Sequence, residues 1–445
     1  MTRETRTAAA ATGTRAPSPA KWVFSTYFAE GLPYGIIRLM SSAFFTDVGL
    51  KERYLGYLNF LGIPWNLKFL WSPLVDLLGT KRAWMIVLQA LLSLVTAGVA
   101  AFCLFAPAGP GASPALALVV ALFVFLAFLS ATNDIAIDGY FQEGIVDPGE
   151  QALWTGFRVF AYRVALITAR SAFIGIAAFA AARLAGAGKF APWGYAFGAA
   201  ALTMGATTLY HLAAAPRFEK EGGARRPWAD IQRGFGRAFI TYARQERFAV
   251  VVLFIIFYKV GDEILFSMNT PFLMRELGVT KGQFAWLSGI LGALGAVAGT
   301  ILGGIWIKRT GLRRAIWPLT LLMNLNIWAY IWLAWERPAA SDPLGLLTIA
   351  AVHCYEQIAA GLGSAVLTVF ILRTCRPEYK ASHFAVGTAI MSLFSTFFGG
   401  FGGLIVERMG YLNMFFLAFA ASIPSMLLLA FVPVREQAPG PSGNA

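Results

Sequence analysis

The chain has 445 residues, of which 58% are hydrophobic and only 13% are charged. Soluble domains average roughly 45–50% apolar and about 25% charged residues, so the composition excludes an ordinary soluble protein and indicates a polytopic membrane protein. The formal net charge is +13, but the basic residues fall mainly between apolar stretches, as topology requires, so we expect no nucleic-acid partner. The three cysteines and three histidines are scattered, which predicts neither a metal site nor another cofactor.

Repeated apolar stretches are long enough to cross a bilayer, which takes about 20 residues. We predict an all-α membrane protein with twelve transmembrane helices. The predicted spans are residues 21–47, 53–78, 83–106, 114–146, 150–185, 191–214, 247–276, 281–308, 313–335, 344–374, 380–407 and 411–433.

The spans form two groups of six around one long polar segment. Within that segment, residues 229–242 form either an amphipathic helix on the membrane surface or a plain linker. The predicted organisation is a disordered cytoplasmic tail at 1–20, a six-helix bundle at 21–215, a cytoplasmic linker at 216–246, a second bundle at 247–433 and a cytoplasmic tail at 434–445.

The distribution of basic residues predicts the orientation. Most of the 36 Lys and Arg residues lie in the segments that share a side with the N-terminus. Because cytoplasmic loops carry the excess of Lys and Arg, we expect both termini in the cytoplasm.

The two halves share a repeated loop. Residues 72–82 connect the second and third spans, and residues 304–314 occupy the corresponding place in the second half. Duplicated six-span halves are typical of the major facilitator architecture, and this loop resembles its gating motif G-x-x-x-D-x-x-G-x-[RK]-[RK]. The matching residues, which we expect to form a cytoplasmic gate, are Asp76, Gly79, Lys81 and Arg82.

Charged residues inside the first-half spans predict a functional pathway, because charges at membrane depth are costly unless they face a polar interior. Asp134 and Asp138 lie one helical turn apart, and Arg163 and Arg170 share a helix face. Together with Arg158 they are expected to line one central cavity.

The first two spans contain further candidates. Glu30 and Tyr34 are one turn apart in a stretch weakened by Gly and Pro, which marks either the substrate path or a packing kink; Arg38 follows them. In the second span, Asn66 and Lys68 lie among aromatic residues, where Lys68 either extends to the membrane surface or neutralises a substrate anion.

In the second half, Lys259 and Asp262 are three residues apart and form either an internal salt bridge or part of the site. His353 is best interpreted as a packed or hydrogen-bonded group, whereas an unpaired Glu356 would be expensive in the membrane. Glycines at every fourth position from Gly295 to Gly303 predict a close helix–helix contact. No phosphate-binding loop of the ATPase type occurs in the sequence, so a gradient or exchange must drive any transport.

Taken together, these motifs resemble the peptide/acetyl-CoA transporter branch of the major facilitator superfamily, in register over nearly all of residues 22–433. Bacterial members of this branch are AmpG-type muropeptide permeases, and eukaryotic members are acetyl-CoA transporters. The motifs that carry the resemblance are Glu30-Gly-Leu-Pro, Lys68-Phe-Leu-Trp-Ser-Pro-Leu-Val-Asp76, Asn133-Asp-Ile-Ala-Ile-Asp-Gly139, Tyr162-Arg163, Gly261-Asp262, Tyr355-Glu356 and Ser382-His-Phe-Ala385.

The resemblance implies a monomeric, non-enzymatic symporter of the bacterial inner membrane. It would import GlcNAc-anhydro-MurNAc and its peptides with protons, for cell-wall recycling. Sugar rings suit aromatic faces and substrate carboxylates suit basic side chains. The expected substrate-binding residues are Glu30, Tyr34, Arg38, Asn66, Lys68, Arg158, Arg163, Arg170 and Lys259. The expected proton-coupling residues are Asp134, Asp138, Asp262 and Glu356.

Two points stay open in the sequence. We hypothesise that the proton carrier is an unpaired Asp138 or Glu356, since an adjacent arginine would oppose protonation. The alternative function is an exchanger of acetyl-CoA or another organic anion on the same fold, which would need a basic cavity but no titrating acid.

Overall fold

A computed structural model describes residues 18–105, 113–184, 186, 188–218, 237, 239–245, 247–376 and 380–434. Within these residues the regular structure is helical, as predicted, and twelve helices α1–α12 match the predicted spans. Much of the predicted linker, residues 219–236, and most of both predicted tails lie outside the described residues.

The first half contains three unbroken helices and three that change geometry along their length. The unbroken helices are α3 (Lys81–Phe105), α4 (Ser113–Gly144) and α6 (Ala191–Ala214). α1 comprises Val23–Gly35, a π-helical turn Ile36–Met40 and Ser41–Asp47. α5 comprises Pro148–Ile167, a π-helical turn Thr168–Phe173 and Ile174–Arg183. α2 is built from Glu52–Tyr57, Leu58–Gly62, Ile63–Leu67, Lys68–Leu70 and Ser72–Leu77.

The second half repeats this mixture. α7 is Phe248–Pro271 with a π-helical turn Phe272–Glu276, α8 is Lys281–Trp286, Leu287–Leu291 and Gly292–Thr310, α9 is Leu312–Glu336, α10 is Pro343–Thr374, α11 is Lys380–Gly400 and α12 is Gly402–Leu428. The backbone of α12 breaks at Gly410, where φ is 77°, a conformation that favours glycine. The predicted boundary between the last two spans, between residues 407 and 411, coincides with this break.

Eight helices in the described residues, α3–α5 and α8–α12, are long and apolar enough to cross a membrane. Of the remaining four, α2 is divided into short pieces, and α7 carries Lys259, Asp262 and Glu263 within its length. Charges lower the mean hydropathy of a span because each one is costly in the hydrocarbon region. Three of these four helices, α1, α2 and α7, hold candidate site residues, whereas α6 holds none.

Several helix pairs correspond between the two halves, as expected for two pseudo-symmetric bundles. α1 packs on α5 and α3 on α6 in the first half, while α7 packs on α11 and α9 on α12 in the second. Large aromatic and aliphatic side chains fill the contact between the helices of each half. This arrangement confirms the predicted fold class and leaves charged residues of both halves facing one another.

Small residues set how closely these helices approach. A Cβ on Gly31 would lie 2.9 Å from the carbonyl oxygen of Tyr162, and one on Gly35 would lie 2.8 Å from the Cβ of Ala169. The glycines of α1 therefore permit close packing against α5. Pro33 lies inside the regular part of α1, and the irregular turn follows at Ile36–Met40, which contains Arg38.

Candidate functional site

Asp138 is the centre of a charge network in the first half. Its Oδ1 accepts a hydrogen bond from the Tyr27 hydroxyl at 3.1 Å and from Arg158 Nη2 at 3.4 Å. Lys68 Nζ lies 4.0 Å from Asp138 Oδ2 and 3.5 Å from Asp134 Oδ2. The network joins α1, α2, α4 and α5. The hypothesis of an unpaired Asp138 is therefore wrong, because two cations and a hydroxyl surround this carboxylate.

Glu30 adds a third acid to this network. Its side chain is buried, and its Oε2 has no hydrogen-bond partner among the described residues. It interacts electrostatically with Asp134, Asp138 and Lys68. Three carboxylates thus share the two cations Lys68 and Arg158, so one of the three lacks a matching positive charge when all are ionised. By its position, Glu30 belongs to this charge network, as the other two acids do.

Aromatic rings lie next to these charges. The ring of Tyr34 meets Trp65 edge-on with centroids 5.0 Å apart, and Tyr162 lies 6.0 Å from Tyr34. Arg158 stacks over the ring of Tyr27 at 4.6 Å. Of these four aromatic residues, sequence analysis proposed only Tyr34 as a site residue. Tyr27 could have been proposed as well, because it lies one helical turn before Glu30.

Asn66 lies at the boundary between the halves. Its Nδ2 donates to Thr396 Oγ1 at 3.0 Å and to the Ser392 carbonyl at 3.2 Å, and its Oδ1 accepts from the Ser392 hydroxyl. The predicted site residue is thus part of a polar contact between α2 and α11.

In the second half, Lys259 Nζ donates to Asp262 Oδ2 at 2.9 Å. This confirms the internal salt bridge that the three-residue spacing indicated. The adjacent Glu263 interacts electrostatically with Lys259, Asp262 and Arg38, so a first-half arginine lies near the acids of α7.

Glu356 is one of the most deeply buried acids, with 1% of its surface exposed. Gln357 Nε2 donates to Glu356 Oε2 at 2.8 Å, and His353 Nδ1 lies 3.5 Å from the same oxygen. Among the described residues no Lys or Arg nitrogen lies within ion-pair distance of Glu356, although Arg170 interacts with it electrostatically. Glu356 therefore matches the hypothesis of an acid without a paired cation.

His353 belongs to a hydrogen-bonded chain, as its interpretation as a satisfied group predicted. Asn269 Nδ2 donates to the Tyr330 hydroxyl oxygen at 2.9 Å, and that hydroxyl is 3.0 Å from His353 Nδ1. His353 Nε2 lies 3.1 Å from Ser288 Oγ, so both ring nitrogens have a hydrogen-bond partner besides Glu356. Sequence analysis missed these partners, which are distant in the chain.

The three remaining arginines differ in their surroundings. Arg38 donates to the Leu58 and Asn59 carbonyls and to Asn59 Oδ1 at 3.3, 2.7 and 3.0 Å. Arg170 is buried, lies over the Phe284 ring, and its Nε has no partner among the described residues. Arg163 is exposed, and the described contacts do not bring it into either network.

The basic residues of the gate motif form hydrogen bonds with neighbouring segments of the first half. Lys81 Nζ donates to the Val75 carbonyl at 3.0 Å, and Gly79 has a φ of 71°. Arg82 donates to the carbonyls of Leu212 and Ala215 at 2.7 and 2.9 Å, which caps the end of α6, where helix carbonyls lack partners. The side chain of Asp76 lies outside the described residues.

At the helix ends opposite the gate motif, the two halves are joined by ion pairs that sequence analysis did not predict. We call this surface the ion-paired face. Its three pairs each connect the two halves: Asp47 with Lys281 (2.9 Å), Glu52 with Arg275 (2.6 Å) and Arg53 with Glu407 (2.5 Å). A Cβ on Gly403 would lie 1.8 Å from the Glu52 carbonyl oxygen, so the halves are in close contact at this face.

Comparison with known proteins places the chain among transporters. No family model matches the sequence. It is similar to an uncharacterized protein of Haemophilus influenzae, 28% identical over 93% of this chain and 94% of the relative. It is also similar to the anhydromuropeptide permease of Escherichia coli, 26% identical over 90% of this chain and 77% of the relative. The putative transporter AmpG 4 of Rickettsia conorii is 24% identical over 93% and 96%. These relatives confirm the predicted resemblance to AmpG-type permeases.

Solved structures decide the fold. The nucleoside transporter NupG superposes with a TM-score of 0.65 at 14% identity over 93% of this chain and 99% of that chain. The D-xylose-proton symporter superposes with a TM-score of 0.64 at 14% identity over 93% and 97%. The chain has the major facilitator fold. It is a multi-pass membrane protein, and the functionally named relatives and these neighbours are transporters.

Proposed function

We propose that this protein is a proton-coupled importer of anhydromuropeptides in the bacterial inner membrane. The observation that supports a transport site most strongly is the exposure of Lys68, Asp138 and Arg158, each about one third exposed inside a spanning helix (33%, 35% and 33%). Charges facing lipid would be costly, so these groups line a water-accessible space between the bundles. The E. coli relative named anhydromuropeptide permease supports the substrate.

The site suits the chemistry of such a substrate. The rings of Tyr34, Trp65 and Tyr162 form an aromatic group next to the charge network, and aromatic rings offer rigid apolar surface with a polar edge. Sugar rings of GlcNAc-anhydro-MurNAc would pack against them. Basic side chains in the same space would bind the carboxylates of the sugar acid and its peptide.

We infer that Glu356 carries the coupled proton. It faces His353, Gln357, Arg170, Asp262 and Lys259. Taking up a proton removes its attraction for Arg170, which is then available to an anionic substrate. Release of the proton to the cytoplasm restores that attraction and favours substrate release. Proton and substrate binding are coupled because both depend on the same guanidinium.

The orientation follows from the excess of basic residues on the side of the termini. We propose that both termini are cytoplasmic and that the bundles at 21–215 and 247–433, joined by the linker at 216–246, rock as units. The ion-paired face is then the outer face, closed in this state. The protein works as a monomer in the lipid bilayer, since each bundle contributes one half of the site.

The test is uptake of labelled GlcNAc-anhydro-MurNAc into proteoliposomes with and without an inward proton gradient. We expect accumulation only with the gradient. An exchanger of acetyl-CoA or another organic anion would ignore the gradient and respond to solute loaded inside the vesicles. Absence of uptake by folded protein under both conditions would overturn the muropeptide proposal.

A further inference from the structure

A small cavity lies between the two halves, next to the turn of α1 that contains Arg38. Its volume is about 30 Å³, and its polar lining comes from four helices. A water molecule needs roughly 10–15 Å³ on this scale, so the cavity has the size of two or three waters or of one carboxylate group. The polar lining residues are Arg38, Ser42, Asn59, Arg170, Ser267 and Thr270.

Hydrogen-bond donors in this lining outnumber acceptors. Arg170 has 8% of its surface exposed, and its Nε has no partner among the described residues; the same is true of Asn59 Nδ2. In the described part of the chain, the oxygens to which Arg38 donates are neutral, those of Leu58 and Asn59. Burying a guanidinium without an anionic partner is expensive, so the cavity is suited to an anion.

Two carboxylates influence these arginines from outside bonding distance. Glu356 interacts electrostatically with Arg170, and Glu263 with Arg38. Among the described residues, no carboxylate oxygen lies within 4.0 Å of either arginine, whereas other ion pairs of this protein fall within that distance. Arg38 therefore keeps its Nε and one Nη2 hydrogen for a ligand, and Arg170 keeps at least its Nε.

We propose that Arg38 and Arg170 together bind one carboxylate group of the transported molecule. The planar guanidinium matches a carboxylate with two parallel hydrogen bonds, and the cavity has room for that group alone. The rest of the ligand would extend towards Tyr34 and Trp65. This assignment rests on the proposed function for the identity of the ligand, but not for the presence of an anion site.

The anion site is tested first with sodium formate, the smallest carboxylate. The melting temperature of the full-length protein in detergent is measured against formate at constant ionic strength, balanced with a bulky anion. We expect a saturable rise in the wild type that is absent in Arg170→Gln and Arg38→Gln. No response in the wild type, or an unchanged response in both variants, would overturn the site.

The substrate assignment is tested with two ligands, GlcNAc-anhydro-MurNAc and its neutral carboxamide. A charged hydrogen-bond pair contributes about 1.5–3 kcal/mol, so the wild type should bind the acid roughly 10- to 100-fold more tightly than the amide. This ratio should fall towards one in Arg170→Gln and Arg38→Gln. The control Arg158→Gln should weaken both ligands alike and keep the ratio.

The outcomes separate the two proposals. If neither sugar binds the wild type while formate still stabilises it, the muropeptide assignment fails and the anion site stands. If the ratio collapses in Arg158→Gln and persists in the other two variants, the carboxylate is bound at Asp138's network and our assignment is wrong. Arg170→Lys keeps the charge but loses the planar fork, and serves where Arg170→Gln does not fold.

Discussion

At the scale of single residues, partners decide what each buried charge can do. Asp138 is held by Tyr27, Lys68 and Arg158, and Asp262 is held by Lys259. Removing Lys259 would leave Asp262 as an uncompensated buried charge, and Asp138 would lose a cation of its network, so these acids are suited to organising the site. Among the described residues, Glu356 has a neutral donor and His353 at bonding distance and no Lys or Arg, so its charge can change without breaking an ion pair with either.

We therefore predict that Glu356→Gln abolishes proton-driven accumulation but retains exchange of substrate between two equal pools. Glutamine keeps the shape of the side chain and cannot release a proton, so the variant stays fixed in the protonated-like form. Uptake with a proton gradient and counterflow without one are measured in the same proteoliposomes. Glu336→Gln, at an exposed position, is the matched control and should behave as wild type.

If Glu356→Gln still accumulates substrate in response to the gradient, the proton is carried elsewhere. Glu30 is then the next residue to test, because it is the acid without a hydrogen-bond partner for Oε2 in the first-half network.

At the scale of helices, irregular turns and glycine contacts determine how the elements fit together. π-helical turns occur in α1, α5, α7 and α8, and two of them contain Arg38 and Arg170. Such turns are frequent at functional sites. The glycine series of α8 was predicted to form a close contact, and the structure confirms it: a Cβ on Gly299 would lie 2.0 Å from the Ile358 carbonyl oxygen of α10.

We predict that Gly299→Ala destabilises the second bundle. The added methyl group meets backbone atoms, which cannot move aside as a flexible side chain would, so the cost is about 1–3 kcal/mol. The matched control is Gly304→Ala, five residues along the same helix, where a Cβ meets open space. Thermal midpoints in detergent should fall for the first variant only. Equal midpoints would show that α8 and α10 do not pack as described.

At the scale of the whole molecule, the two halves are held together at one face. Extensive contacts between them include those of α2 with α12 and of α5 with α8, and these helices carry residues of the ion-paired face or lie next to them. The side chains of the pair Arg53–Glu407 are 44% and 29% exposed, and those of Lys281–Asp47 are 18% and 19% exposed. Partly exposed pairs contribute roughly 0.2–1 kcal/mol each, so this closure is weak enough to be reversible.

We predict that neutralising the three acids of this face, Asp47→Asn with Glu52→Gln and Glu407→Gln, shifts the population towards a state open at this face. Three such pairs contribute about 0.6–3 kcal/mol in total, a roughly 3- to 150-fold change in the equilibrium. Distances between spin labels at the exposed positions Tyr54 and Met409 report the opening. The labelled protein needs replacement of the free cysteines Cys103, Cys354 and Cys375.

The charge-swapped variant Arg53→Glu with Glu407→Arg is the control for this prediction. It restores the attraction and should keep the wild-type distance distribution. A neutralised variant with an unchanged distribution would mean that apolar packing, such as the contact of Gly403 with α2, closes the face without help from the ion pairs.

Much of this protein follows from the composition and order of its residues. Apolar stretches of spanning length determine the twelve helices, because lipid cannot satisfy a free backbone. Charged residues inside those stretches indicate the site, since a charge at membrane depth is costly unless it faces a polar interior. The i,i+3 spacing predicted the Lys259–Asp262 pair, and the four-residue glycine spacing predicted the α8–α10 contact.

Only the tertiary structure decided which charges are paired and which are not. Asp138 and Glu356 are equally plausible proton carriers in the sequence, and their partners come from helices that are remote in the chain. The division of α2, the three ion pairs between the halves and the cavity shared by Arg38 and Arg170 were likewise not predicted. Local periodicity fixes the face of a helix on which a residue lies. The distance to a partner on another helix depends on how the whole bundle packs.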